Sequence, residues 1–213
     1  MVDLRAIVGH DSLSAGAEGL PAGVKMNKLG YLIVMDFYTQ MAIEGRVFSV
    51  RAGTISAPLV GDQPLIDARA EMAVDAASGT TIIPVTVNVG IQLLPGTANE
   101  FKGQSVATVS SAGDAYVPLN LRSDGSSAVS TARVDAAGGV TVTAELVTTT
   151  LLHFSKGSAI AAGAYAMNID WQPKAPPVLV GPRCFYVQAG GTTTGPSYFA
   201  NIDYIELPTA NTD

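Results

Sequence analysis

Cysteine and histidine are almost missing from this chain of 213 residues, and their scarcity limits the chemistry that it can perform. The sequence holds one cysteine, Cys184, and two histidines, His10 and His153. A single cysteine cannot form an intramolecular disulfide, which fits folding in a reducing compartment. Three residues so far apart do not predict a zinc site or a cupin-type metal site, because such sites need several converging ligands. We therefore predict no metal and no other cofactor.

Charged residues are also scarce, at 14% of the chain against roughly 25% in an average globular protein. The net charge is −6 and no cluster of Lys and Arg occurs. Nucleic-acid phosphates require such a cluster, so the sequence predicts no direct binding to nucleic acid. The chain is 47% hydrophobic and has a mean hydropathy of +0.30. This composition indicates that some surface is buried against other subunits, although an alanine-rich monomer surface explains it nearly as well.

No hydrophobic run is long enough to cross a membrane as a helix. The longest apolar run near the start, Tyr31 to Met35, is far below the ~20 residues that a spanning helix needs. The first residues also lack the basic stretch and apolar core of a secretory signal. These absences predict a protein that is made in the cytoplasm and has no membrane partner.

The chain does contain a repeated alternation of apolar and polar residues between Gly, Pro and Asp turns. Near the C-terminus Ala200, Ile202 and Tyr204 occupy one face, while Asn201 and Asp203 occupy the other. This period of two is typical of a half-buried strand. The same pattern predicts about eight to ten strands with turns every ~8–12 residues, the spacing of a sandwich or barrel. Long helices do not alternate with these strands, so the sequence predicts an all-β fold.

One helix is predicted between Gly30 and Gly45. Asp36 is a suitable N-cap, Phe37 and Met41 lie four residues apart on one helical face, and Gly45 can end the helix. The segment that precedes it shows no period, which predicts an extended N-terminal arm over residues 1–26 and one domain over residues 27–213. The arm carries too many apolar residues for a free tail, so we expect it to dock on a neighbouring subunit. These apolar residues are Leu4, Ile7, Val8, Leu13, Leu20 and Val24.

Two internal segments test the strand prediction. From Ile66 to Asp75, the acidic residues recur every four positions, as on a helix, but the apolar residues recur every two without a break. The unbroken period of two favours a strand with a charged outer face. From Ala132 to Leu151, alternating residues flank Gly138-Gly139, which predicts a β-hairpin with a two-residue turn.

The residues that most resemble a catalytic site lie in one short motif, Gly9-His10-Asp11-Ser12. Neighbouring Ser, His and Asp residues do not form a triad, because triad geometry comes from separate, rigidly held elements. His153 lies between Leu152 and Phe154 at a strand end, which favours a packed histidine over a general base. Cys184 lies in a predicted strand, which favours a buried, inert thiol. We therefore predict no catalytic residue and no enzyme activity.

Three other motifs suggest binding but have simpler explanations. Asp114, Asp124 and Asp135 lie near turns, where Asp is common, so a loop calcium site is the weaker alternative. The glycine-rich segment from Gly190 to Pro196 lacks the Gly-Lys-Ser/Thr sequence and following helix of a phosphate loop. It predicts a mobile or subunit-contacting loop. Trp171, beside Gln172-Pro173 and Lys174, could stack on a sugar, but a lone Trp beside Pro is more often a core plug or loop anchor.

Five segments together form a recognisable pattern. They are Leu29-Gly30-Tyr31 through Glu44-Gly45-Arg46-Val47-Phe48, Ala57-Pro58-Leu59-Val60-Gly61-Asp62, Ile82 to Leu94, Trp171-Gln172-Pro173 and Gly195-Pro196-Ser197-Tyr198-Phe199. This pattern resembles the jelly-roll virion proteins of bacteriophages. The resemblance implies a double-sheet jelly roll of eight strands, self-assembly as a capsid, cement or decoration subunit, trimeric contacts and location in the virion with other virion proteins. The alternatives from other classes are a carbohydrate-binding or adhesion β-sandwich module and a cupin-like or hydrolase enzyme.

Overall fold

The computed structural model of the chain describes residues 36–63, 65–94, 98–134, 139–146, 148–158, 167–192 and 195–211. The predicted arm over residues 1–26, the start of the predicted domain and His10 lie outside these residues. The described elements are mainly strands, with the helix α1 (Phe37–Ile43) and a final 3₁₀ turn (Thr209–Asn211). The described strands are β1 (Val47–Ala52), β2 (Leu59–Val60), β3 (Arg69–Ala70), β4 (Met72–Ala76), β5 (Thr80–Leu93), β6 (Asn99–Val106), β7 (Asp114–Tyr116), β8 (Leu119–Asn120), β9 (Thr131–Val134), β10 (Val140–Thr141), β11 (Leu151–Ser158), β12 (Met167–Trp171), β13 (Leu179–Val180), β14 (Arg183–Gly191) and β15 (Ser197–Pro208).

Eight of these strands form two antiparallel sheets of four. The first sheet has the order β12-β5-β15-β1, and the second has the order β11-β6-β14-β4. Taken along the chain, the eight strands alternate between the sheets except at β6 and β11, which are neighbours in the second sheet. This order is the double Greek key of a jelly roll. The predicted all-β, jelly-roll-like fold class is therefore confirmed.

The main core lies between the two sheets. Alternate residues of β15 face inward: Tyr198, Ile202 and Tyr204 are fully buried and belong to this core. Phe101 from β6 and Phe185 from β14 enter it from the second sheet. Aromatic and β-branched side chains fit such pleated, half-buried surfaces, which explains why the period of two in the sequence is reliable here.

The helix prediction is also confirmed. The carboxylate of Asp36 accepts hydrogen bonds from the backbone N–H of Thr39 (2.9 Å) and from its hydroxyl (2.5 Å). Gly45 has a positive φ of 70° at the end of the helix, where glycine is favoured. Met41 points from α1 onto the outer face of the first sheet, where it packs with Val47 and Ile205. The helix therefore covers one end of that face.

A long insertion between β6 and β11 closes one edge of the sandwich. Its strands β7 and β9 extend the second sheet beyond β4, and its strand β8 pairs with β1 of the first sheet. Its later strand β10 pairs with β3, and Val140 and Val142 bury the outer face of β14 at Cys184 and Tyr186. The insertion thereby covers strand edges that would otherwise be free to pair with other chains.

The predicted charged outer face between Ile66 and Asp75 is only partly right, because Asp67 and Arg69 are exposed but Glu71 and Asp75 are not. The segment does form strands, β3 and β4, but Glu71 and Asp75 are each only 3% exposed. The Asp75 carboxylate accepts hydrogen bonds from the backbone N–H (2.8 Å) and the hydroxyl (2.6 Å) of Ser110 in the insertion. Glu71 accepts one from the Tyr198 hydroxyl at 3.1 Å. Period alone could not reveal a distant segment that covers this face.

The predicted hairpin from Ala132 to Leu151 is wrong. β9 pairs with β4 and β7, whereas β10 pairs with β3. Gly139 has a positive φ of 76°, as a turn residue can, while residues 135–138 lie outside the described part of the chain. Long-range partners therefore replace the local partner that the turn signal suggested.

Candidate functional site

The described elements leave much of the outer face of the first sheet open. α1 covers one end of it, and a row of four directly paired residues crosses the rest. Arg51 of β1 pairs with Asn201 of β15, Asn201 with Asn88 of β5, and Asn88 with Asp170 of β12. Directly paired residues project to the same face of a sheet, and the core-facing neighbours of Asn201 place this row on the outside. Arg51 and Asp170 are exposed and both asparagines are half-buried.

Beside this row, a phenylalanine lies over a glycine. Phe199 of β15 pairs with Gly90 of β5, and a Cβ atom added to Gly90 would lie 2.2 Å from the Phe199 ring. The ring therefore needs a glycine beneath it. In the next row Ser197 pairs with both Leu93 and Val60, whose side chains are 43% and 54% exposed. We call these rows the open face, which comprises Arg51, Val60, Asn88, Gly90, Leu93, Asn168, Asp170, Ser197, Phe199 and Asn201.

His153 belongs to an aromatic cluster at the opposite edge from the insertion. The pairing of β11 with β6 shifts register between Leu152 and Phe154, which leaves His153 as the extra residue of a bulge. Its ring centroid lies 5.5 Å from that of Phe185 and 6.1 Å from that of Trp171. These contacts confirm the predicted packed histidine.

The Ser105 hydroxyl and His153 Nε2 are 2.8 Å apart, the contact of a nucleophile with a base. Ser105 is completely buried, so its hydroxyl cannot reach a substrate. The bond instead ties β11 to β6. Burial lowers the pKa of His153 below the ordinary histidine value.

The lowered pKa of His153 predicts that stability falls in mild acid. The unfolded chain binds the proton at a higher pH than the folded one, so the free energy of unfolding should decrease as the pH drops below about 6.5. Urea unfolding of the wild type and of His153→Gln between pH 7.5 and 5 tests this. Glutamine keeps a hydrogen-bonding group near Ser105 but does not titrate, so this variant should have a shallower pH dependence. Equal slopes would contradict the prediction.

The predicted burial of Cys184 is confirmed. Its side chain is fully buried in β14 beneath the insertion. Burial raises the pKa of the thiol well above its ordinary value, and the nearby Asp75 carboxylate acts in the same direction. Thiolate formation is therefore strongly disfavoured.

We expect Cys184 to react with a thiol reagent only when the protein opens. Native protein mixed with a chromogenic disulfide should label at least about a hundred times more slowly than protein in urea, because only the thiolate reacts and the native site is closed. Labelling in the native state as fast as in urea would show that the thiol is accessible.

A cavity of about 520 Å³ lies between the end of α1, the insertion and the end of β15. Its lining includes Glu44, Arg46, Ser126 and Glu206, so it offers carboxylates, a guanidinium and hydroxyls. The Glu206 carboxylate is already engaged: its two oxygens accept the backbone N–H groups of Val129 (2.9 Å) and Ser130 (2.7 Å). The cavity could hold a small polar molecule, but Glu206 first anchors the insertion.

The remaining predicted motifs do not meet in one site. Asp124 pairs with Arg122 at 2.7 Å, Asp135 lies outside the described residues, and the described residues contain no group of three or more His, Cys, Asp or Glu that could hold a metal. Trp171 packs against Phe154 and Phe185, at 5.6 and 5.8 Å between ring centroids, which confirms the core-plug interpretation.

The prediction of a loop from Gly190 to Pro196 is partly wrong. Gly190 and Gly191 are buried in β14 and pair with Glu100 and Asn99. Residues 193–194 are not described, and Gly195 and Pro196 are buried. Gly190 lies so close to Leu65 that a Cβ atom would be 2.7 Å from it. The glycines thus serve close packing within the sandwich.

The comparisons with known proteins give no family for this chain. No protein-family model, curated protein or solved structure matches it. Among the described residues, no helix has the length and apolar character needed to span a membrane.

The open face was not predicted from the sequence. The strand register that aligns Arg51 with Asp170 joins positions 119 residues apart, which no local pattern encodes. One signal was available: a glycine inside a strand, here Gly90, often marks a close approach by another group.

Proposed function

We propose that this chain is a structural subunit of a virus particle, a capsid, cement or decoration protein that assembles with copies of itself and has no enzyme activity. The observation that carries the proposal is the strand order β12-β5-β15-β1 facing β11-β6-β14-β4. This is the jelly roll that viral capsid domains use. Lectins and cupin enzymes use it too. The fold alone therefore does not separate these functions, and the choice among them rests on the side chains.

Exposed apolar side chains support assembly. On the insertion, Val117, Leu119, Leu121 and Val129 are 73%, 53%, 46% and 65% exposed. The open face adds exposed apolar area on the first sheet. Large exposed apolar surfaces on soluble chains mark contacts with other molecules, and the chain has little charge with which to keep them solvated. We propose homo-oligomeric contacts, with a trimer favoured, and location in the virion after synthesis in the host cytoplasm.

Catalysis is not favoured by the one nucleophile–base contact described above. Ser105 and His153 are within hydrogen-bond distance, but Ser105 is buried in the second sheet. His153 is packed between aromatic rings. This pair supports the sandwich rather than a reaction.

The alternative is a carbohydrate-binding module, and one observation favours it. The cavity beside α1 is lined by hydroxyl groups and carboxylates, which are suitable partners for sugar hydroxyls. However, Trp171 is partly buried against Phe154 and Phe185, which leaves less of its ring free to stack on a sugar.

Light scattering after size exclusion, followed by electron microscopy, tests the proposed function. We expect the purified full chain to form a defined oligomer or particle. A glycan-array measurement on the same sample tests the alternative. A monomer at all concentrations that binds a glycan would replace the structural role with the carbohydrate-binding one.

A further inference from the structure

We propose that the open face is a two-fold contact with a second copy of this chain. The inference rests on the proposed function, because it names the surface through which two subunits would meet. It is carried by the order of charges across the sheet.

The row Arg51–Asn201–Asn88–Asp170 has a positive end and a negative end. Neighbouring strands lie about 4.8 Å apart, so the two charged residues are about 14 Å apart across the sheet. Within the described part of the chain, neither Arg51 nor Asp170 has an ion-pair partner. Gln172 donates a hydrogen bond to the Asp170 carboxylate at 3.1 Å, which helps to hold it in place. Both charges are exposed on the outer face of the first sheet.

A two-fold axis that runs parallel to the strands, between β15 and β5, makes this row complementary to itself. The rotation places Arg51 of one copy over Asp170 of the other, and Asp170 over Arg51. It also places Asn201 over Asn88, where two amide groups can exchange hydrogen bonds. Such self-complementarity is the defining property of a two-fold interface. A shift along the strands by one row would lose the opposite charges, so they also set the register.

The apolar part of the open face fits the same arrangement. The Phe199 ring lies over Gly90, and therefore close to the axis between β15 and β5. The rings of two copies can stack there, while Leu93 of each copy lies over Ser197 of the other. An aromatic pair near the centre with charges at the rim is the usual anatomy of a protein interface.

The open face is modest in area. Four strands and about six residues per strand cover roughly 400 Å² per copy, half of the ~800 Å² per partner that is typical of stable complexes. We therefore expect reversible dimerisation of isolated chains, which strengthens when other contacts join the same subunits in a closed assembly. A two-fold contact here is compatible with a trimeric contact elsewhere, because closed assemblies combine both symmetries.

Charge reversal tests the contact. Arg51→Asp and Asp170→Arg each place two pairs of like charges across the two-fold axis. Each should raise the dimer dissociation constant at least about tenfold at low salt, measured by sedimentation velocity over a range of concentrations. The double variant Arg51→Asp/Asp170→Arg restores opposite charges and should return towards the wild-type value. Lys156→Asp, which makes the same charge change on β11 of the second sheet, should leave the dissociation constant unchanged. Circular dichroism and thermal unfolding confirm that each variant folds.

The outcomes separate this inference from the proposed function. Single reversals that leave dimerisation unchanged, or a double variant that stays as weak as the single ones, would overturn the two-fold contact. If particles form in electron micrographs of all variants alike, the contact is wrong and the structural role stands. If the charge pattern controls a dimer that binds a glycan and forms no particle under any condition, the contact stands and the structural role in a virion fails. A wild-type chain that is monomeric at millimolar concentration contradicts both.

Discussion

Replacing Phe185 by alanine should lower the free energy of unfolding by about 3–5 kcal/mol, the usual cost of removing a fully buried phenylalanine. Phe185 is 0% exposed in β14. Its ring lies 5.8 Å from that of Trp171 and 5.5 Å from that of His153. The substitution therefore leaves a cavity where three strands from both sheets meet. Chemical unfolding followed by Trp171 fluorescence measures the loss directly, because this is the only tryptophan.

Val117→Ala is the matched control for that prediction. It also removes an apolar side chain, but from a position that is 73% exposed. Its effect should stay within about 0.5 kcal/mol. If alanine at position 185 prevents folding, Phe185→Leu keeps the site apolar and largely filled and should give a folded protein of intermediate stability. Equal, small losses for Phe185→Ala and Val117→Ala would mean that this aromatic cluster is not a core.

The long strands of the sandwich could be predicted from sequence because one face of each is buried. In β15 the alternation of Ala200, Ile202 and Tyr204 with polar residues corresponds to buried and half-exposed positions. The helix α1 could also be predicted from the sequence, since its cap at Asp36 and its end at Gly45 depend on residues within the helix itself. Such signals depend only on neighbours in the chain, and the structure confirms them.

Features that depend on distant segments could not be predicted in the same way. Asp75 is buried because Ser110, 35 residues away, donates two hydrogen bonds to it. The Gln188 side chain donates to the backbone carbonyls of Ile66 (3.1 Å) and Arg69 (2.6 Å), which fixes the chain before β4. A sequence that alternates polar and apolar residues gives no sign of which polar residues will find such partners.

The open face could not be predicted from the sequence for a related reason. Its residues are ordinary when taken singly, since an exposed Arg51 or Asp170 is typical of any surface. They form a row only because of the register of four strands. That register depends on two bulges in the pairing of β15 with β5. A bulge changes which residue faces outward, so a one-residue error removes the row.

Replacing Glu206 by alanine should cost about 2–4 kcal/mol, because it leaves the buried N–H of Ser130 and the partly buried N–H of Val129 without their acceptor. Glu206 is 8% exposed at the end of β15. Its carboxylate accepts the N–H groups of Val129 and Ser130 in the insertion, at 2.9 and 2.7 Å. The Ser130 hydroxyl also lies 2.7 Å from the Tyr204 hydroxyl. Removing the Glu206 carboxylate should therefore loosen the insertion first around residues 129 and 130. Hydrogen exchange at the amides of residues 129 and 130 should accelerate, and urea unfolding should measure the global cost.

Two further variants test whether the lost hydrogen bonds cause this loss of stability. Glu206→Gln keeps one good acceptor oxygen and should fall between the wild type and Glu206→Ala. Glu100→Ala removes a half-buried carboxylate that pairs with Lys102 at 3.4 Å on β6, and it should cost about 1 kcal/mol or less, as expected for a solvent-accessible pair. If Glu206→Ala costs no more than Glu100→Ala, and residues 129 and 130 keep their exchange protection, the carboxylate is not the anchor of the insertion. A larger loss together with faster exchange at those two amides establishes that the Glu206 carboxylate anchors residues 129 and 130 of the insertion to the end of β15.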